Sequence, residues 1–153
     1  SGWKHIYHYG TDHELVGQLT SGEWEVRELH GSDEERAFIY FTATEHSHIE
    51  NHIYRIGLNG QGLTLLSHQA GMHRPQFSPL FDYFIDNHSD YTQPEQVRLH
   101  EASGKLVRVI KGNSRSVFDQ YQWGETEFFQ VPTRDGFLMV TRIAKTSGGY
   151  SSQ

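Results

Sequence analysis

Cysteine is absent from this chain, which excludes disulfides and thiolate metal sites. Proline is scarce, four in 153 residues, and there is no low-complexity stretch, so the composition argues against disorder. No apolar run approaches the ~18 residues needed to span a bilayer. Positive charge is in the minority: 13 Lys and Arg stand against 19 Asp and Glu, a formal charge of −6. Nucleic acids and anionic membranes both favour a basic face, so neither is an expected partner. Phosphate-cradling Gly-rich loops and calcium loops are missing, and no cofactor is expected. Amphipathic helical periodicity is missing too, and period-2 alternation dominates.

What the chain does have is aromatics, glycines and a repeat. Trp 3, Tyr 8, Phe 9 and Gly 15 suit strands joined by tight turns. Tyr7 and Tyr54 lie 47 positions apart, and so do Leu19 and Leu66. A period of roughly 40–50 residues holding four short strands is the signature of propeller blades. Strands are expected at residues 5–9, 15–19, 24–29, 37–42, 52–56 and 63–66, then at 74–78, 83–87, 96–100 and 106–111. Asn59-Gly60 supplies one hairpin turn. The acidic run 31–35 reads as a solvated loop. Tyr7, Tyr40, Phe41, Tyr54 and Trp24 are expected to be core residues between blades. After Gly112 the alternation lapses, and a last hairpin is expected across Thr133-Arg134-Asp135-Gly136.

The expected architecture is therefore all-β. It is a partial β-propeller of about two and a half four-stranded blades in residues 1–111, a linker at 112–125, and a hairpin in 126–153. Propellers close with typically 4–8 blades, so the sequence reads as a piece of something larger.

Several stretches carry a family resemblance. They are Gly2-Trp3-Lys4-His5-Ile6-Tyr7-His8-Tyr9, Gln18-Leu19-Thr20-Ser21-Gly22-Glu23-Trp24-Glu25-Val26, Tyr40-Phe41-Thr42-Ala43-Thr44-Glu45, His52-Ile53-Tyr54-Arg55-Ile56 and Gly71-Met72-His73-Arg74-Pro75-Gln76-Phe77-Ser78-Pro79. In this order and spacing the chain resembles the prolyl-specific serine peptidases of the dipeptidyl peptidase IV and prolyl tripeptidyl peptidase type. The resemblance implies an eight-bladed propeller stacked on an α/β-hydrolase domain. Residues 2–111 would be the last blades, and residues 126–143 would begin the hydrolase domain. A periplasmic or cell-envelope setting is also implied by the resemblance. Two departures stand out. Leu80-Phe81 occupies a turn where such blades often carry Asp-Gly, and residues 144–153 do not resemble the family's continuation, so 126–153 is either a hydrolase start or a non-native tail.

Catalytic residues are not expected in this chain. The family's nucleophile sits on a Gly-x-Ser-x-Gly elbow, which exposes the serine hydroxyl above the sheet. The nearest approaches, Gly149-Tyr150-Ser151-Ser152-Gln153 and Gly112-Asn113-Ser114-Arg115-Ser116, both lack the final glycine. A metal site is not expected either. In a strand His46 and His48 would share a side, as two ligands must, but no third ligand stands at the right spacing. Exposed loop histidines are the simpler reading of these pairs. Trp24-Glu25 and His73-Arg74 fall at equivalent places at the start of successive inner strands. Glu25, His73 and Arg74 are thus candidates for the rim of a central channel.

Two functions are carried forward. In the first, the chain is a non-catalytic propeller segment of a prolyl-specific serine exopeptidase, gating and positioning a peptide substrate. Its partners would be that peptide, the rest of the propeller and the hydrolase domain. In the second, it is a stand-alone propeller-like binding module. Both expect self-association, because open strand edges recruit partners and blades bury their faces only against neighbours. A small β-sandwich would explain the alternation but not the 47-residue register.

Overall fold

The computed structural model describes residues 2–91, 93–112, 126–136 and 138–144. Residues 113–125 of the expected linker and 145–153 of the tail lie outside the described residues, and with them the serines of both near-miss elbows. Every strand or helix element among the described residues is a β-strand, and no helix there is long and apolar enough to cross a membrane. The chain divides into two compact units, Ser1–Asn113 and Ser114–Gln153.

The first unit holds three sheets in chain order. β1 (Tyr7–Tyr9) and β2 (Leu15–Gln18) form a hairpin. A four-stranded antiparallel meander follows: β3 (Val26–Asp33), β4 (Phe38–Ala43), β5 (His52–Gly57) and β6 (Thr64–Leu65). A second meander comprises β7 (Met72–Phe77), β8 (Tyr83–Ser89), β9 (Gln96–Glu101) and β10 (Leu106–Lys111). These sheets are half a blade and two whole ones, the partial propeller that the alternation predicts.

The 47-residue period holds at the level of single hydrogen bonds. Tyr7 pairs with Gln18, and Tyr54 with Leu65. The Leu19 N–H donates to the Ile6 carbonyl at 2.9 Å, and the Leu66 N–H to the Ile53 carbonyl at 2.8 Å. The Ile6 N–H donates to the Thr20 hydroxyl and the Ile53 N–H to that of Ser67, both at 2.9 Å. His5 and His52 contact these same hydroxyls through Nδ1, at 3.2 and 3.1 Å. A small hydroxyl residue at this position satisfies an N–H that the short outer strand would leave unpaired.

Alternation along β4 and β5 sends aromatic side chains to both faces of the middle sheet. Phe41, Ala43, Tyr54 and Ile56 join Val26 in one buried cluster, with Ile6 and Trp24 packed against it. Tyr40 and Ile53 point the other way and meet Leu66 and Phe84, with Phe77 and Phe81 alongside. The middle sheet is therefore covered on both sides, as a blade between neighbours must be. Trp24 takes its expected place, stacked on Phe41 with ring centroids 6.5 Å apart. Tyr7 does not: it is 44% exposed and belongs to neither cluster, although its counterpart Tyr54 is buried. Tyr54's face is covered by Ile6 and Trp24 beside the first hairpin, whereas among the described residues no sheet covers Tyr7.

β3 runs longer than expected and carries two bulges, between Val26 and Glu28 and between Leu29 and Gly31. Gly31 adopts φ 137°, and a Cβ there would lie 2.6 Å from Phe81 Cζ. The strand bends so that the Phe81 ring can seat against it. Phe81 itself has φ 53°, the left-handed conformation that an Asp-Gly turn would give to glycine. The phenylalanine is tolerated because its ring stacks on Tyr40, with centroids 5.1 Å apart at 11°. The acidic run also departs from a purely solvated loop. Asp33 is 6% exposed and accepts from the Arg36 guanidinium at 2.8 Å. The Arg36 backbone N–H, then its guanidinium, hold the Asp33 carboxyl below its ordinary range. The same guanidinium reaches Asp82 at 2.6 Å, latching this loop to the β7–β8 turn.

In the second unit β11 (Thr126–Pro132) and β12 (Leu138–Ala144) pair in unbroken register from Thr126↔Ala144 to Pro132↔Leu138. Gly136, at φ 83°, closes the expected turn, its N–H donating to the Thr133 carbonyl at 3.0 Å.

Candidate functional site

The polar interior of the first unit lies where the two meanders meet. Asn51, just before β5, makes a parallel bridge to Met72 on β7. Its N–H donates to the Gly71 carbonyl at 3.2 Å, and its carbonyl accepts from the His73 N–H at 3.0 Å. Its side-chain amide donates to the His73 carbonyl at 2.8 Å. This clamp fixes the first residues of β5 against those of β7.

Four imidazoles form a row across that clamp. Ring centroids are 4.9 Å apart between His46 and His52, 5.3 Å between His52 and His73, and 4.5 Å between His73 and His88. His46 is exposed, whereas His52, His73 and His88 are at most 2% exposed. Strand alternation explains the burial. Pairing of His73 with His88 across β7 and β8 puts both rings on one face, the face turned toward β5.

Each ring has its own partners. His73 Nδ1 lies 2.6 Å from Asp86 Oδ2, and its Nε2 lies 2.8 Å from the Gln69 carbonyl oxygen. Both neighbours offer acceptor oxygens, and the contact with Asp86 is buried on both sides. Asp86 Oδ1 accepts from the Arg74 N–H at 3.1 Å. His88 Nε2 faces the Ala70 carbonyl at 2.9 Å, while its Nδ1 is buried without a hydrogen-bond partner. Burial pushes the His88 imidazole below its ordinary value, and the charges of His73 and Arg98 push it the same way. His52 Nε2 faces Glu50 Oε2 at 2.8 Å, and its Nδ1 faces the Ser67 carbonyl at 3.0 Å. Glu50 Oε1 accepts from the Gly71 N–H at 3.1 Å.

The three rim candidates take different places. Glu25 immediately precedes β3. Its N–H donates to the Thr44 hydroxyl at 3.1 Å, and its half-exposed carboxylate pairs with Arg27 at 2.7 Å. Arg74 is exposed on β7. His73 is an interior residue, 2% exposed, with both nitrogens engaged within the fold. The pair His46 and His48 is not brought together. The segment between β4 and β5 is not a strand, and His48 stacks on Trp3 with centroids 5.9 Å apart. His46 instead meets Glu50 and His52, a set that spacing arguments based on strands pass over. The 47-residue repeat offered a signal here, since it aligns His52 with His5 and Ser67 with Thr20.

These sheets, their repeat and their two-sided cores define a segment of a β-propeller. The chain belongs to the dipeptidyl peptidase IV family: residues 1–95 match its N-terminal region, described as "Dipeptidyl peptidase IV (DPP IV) N-terminal region". Dipeptidyl peptidase 4 of Trichophyton equinum is 28% identical over 141 residues, which is 89% of this chain and 18% of that protein. The crystal structure of Porphyromonas gingivalis dipeptidyl peptidase 4 aligns with 95% of this chain at a TM-score of 0.87 and 27% identity, over 21% of that chain. The chain thus spans about a fifth of the length of the curated relatives it matches.

Proposed function

We propose that this chain is a propeller segment of a prolyl-specific serine exopeptidase, where it helps gate the catalytic chamber and position the peptide substrate. The observation that carries this reading is the coincidence of blade architecture with a match to the family's N-terminal region over residues 1–95. The sequence contains no nucleophile elbow, so acyl transfer falls to a hydrolase domain that the β11–β12 hairpin would begin. Glu25 and Arg74, accessible at the first strands of successive sheets, are the channel-facing side chains in this reading. The chain alone should associate through the open edge of β1, where a full blade would place two further strands.

The test is to assay an X-Pro-p-nitroanilide with this chain and with the product of the continuous reading frame that contains it. Hydrolysis by the longer product only, lost when its elbow serine is changed to alanine, supports the reading. A reading frame without such a serine, or equal activity after deletion of residues 2–111, overturns it. Light scattering at high concentration checks association, and a monodisperse monomer refutes that part.

A further inference from the structure

We propose that His46, Glu50 and His52 form a binding site for a divalent transition metal, with zinc the best match, that ties the β4–β5 segment to the junction of the two meanders. One ligand atom from each side chain lies within 4.8 Å of the others. Zinc bonds of about 2.0–2.2 Å set tetrahedral ligand atoms about 3.3–3.6 Å apart, so the 2.8 Å edge between His52 Nε2 and Glu50 Oε2 opens slightly while His46 closes on it. His46 can do so, because it is exposed and lies outside the strands. The other two ligands are already placed, since Glu50 and His52 flank the Asn51 clamp.

The outer contacts are those a metal site needs. A ligating imidazole characteristically donates its other N–H to a carbonyl or carboxylate, which fixes the tautomer and orients the ring. His52 does this with the Ser67 carbonyl at 3.0 Å, which leaves Nε2 aimed at Glu50. The second oxygen of Glu50 is held by the Gly71 N–H at 3.1 Å. The His46 backbone N–H donates to the Tyr54 hydroxyl at 2.9 Å, and that hydroxyl donates to Glu45 at 3.0 Å. His52 and Glu50 thus have positioned side chains, and His46 has a positioned backbone and a ring set edge-on to His52.

Ligand chemistry selects the metal. Two imidazoles and one carboxylate suit zinc and its neighbours, whereas magnesium and calcium prefer oxygen alone. Three protein ligands leave one position of a tetrahedron for water on the exposed side of His46.

Equilibrium dialysis of the untagged chain against zinc, with elemental analysis, tests the site. One zinc per chain is expected. His46→Ala and Glu50→Gln should each weaken binding by more than about tenfold. His48→Ala, a nearby exposed histidine outside the set, should leave it unchanged. His46 is exposed, so its alanine variant should keep the wild-type circular dichroism spectrum. Cobalt in place of zinc should give the intense visible bands of a four-coordinate ion, lost in His46→Ala. Absence of stoichiometric zinc, or undiminished binding in folded His46→Ala, or loss of binding in His48→Ala, overturns the proposal. None of these outcomes bears on the peptidase reading, which the elbow serine tests separately.

Discussion

Removing the Asp86 carboxylate should be among the most damaging single changes in the first unit. Asp86 is 1% exposed and His73 is 2% exposed, so neither can be solvated in compensation. The carboxylate accepts two hydrogen bonds, from His73 Nδ1 at 2.6 Å and from the Arg74 N–H at 3.1 Å. Asp86→Ala leaves a buried imidazole nitrogen and a backbone donor each without a partner. Breaking a buried pair from one side costs about 3–5 kcal/mol. Asp86→Asn keeps the shape and an acceptor for Arg74 but removes the charge, so it should cost about 1–3 kcal/mol. Urea unfolding is the assay. With a slope of about 2 kcal/mol/M, the alanine midpoint should fall by roughly 2 M and the asparagine midpoint by about half that. In a His73→Phe background the extra cost of Asp86→Ala should shrink, because the stranded imidazole is gone. An Asp86→Ala protein within about 1 kcal/mol of wild type would refute the reasoning, because a buried pair broken from one side costs several times that. Equal costs for alanine and asparagine would refute it too.

Two further outcomes are expected. His88 and His30 are both held neutral in the fold by burial, so the unfolded chain takes up their protons first. Their contribution to stability is complete above the ordinary histidine value of about 6.5 and is lost progressively as pH falls below it; urea midpoints at pH 7.5 and 5.5 should differ less in His88→Gln than in wild type, and an unchanged difference counts against the assignment. Gly31→Ala should destabilise by more than about 1 kcal/mol, since alanine at φ 137° is strained and its Cβ meets the Phe81 ring. Pairing it with Phe81→Ala should recover part of that loss, and strict additivity of the two costs would show that the ring contact is immaterial.

How much was legible beforehand differs from element to element. The repeat at 47 residues is a local property of the chain, and it related the first hairpin to β5 and β6, while alternation and turn residues placed the other strands. Tyr40 and Phe41 were expected in the core between blades, and both are buried, on opposite faces of β4. β3 starts two residues and ends four residues later than expected, and β7 starts two residues earlier, because bulges and the Asn51 bridge shift the pairing. Phe81 resisted prediction for another reason. A left-handed phenylalanine is unfavourable by itself, and only the stacking on Tyr40 and the space at Gly31 make it acceptable.

The sequence by itself determined the all-β class, the blade period and the family, because these follow from patterns repeated along the backbone at fixed intervals. It also determined that this chain carries no nucleophile elbow, since that motif is contiguous. Only the tertiary structure decided which histidines are buried and which meet. His46, His52, His73 and His88 come from four segments, and their spacing in the chain reflects no common strand or helix. They converge because two sheets pack face to face and the Asn51 clamp sets the distance between β5 and β7. Periodicity says which side of its own strand a residue faces; what it faces there depends on the neighbouring sheet.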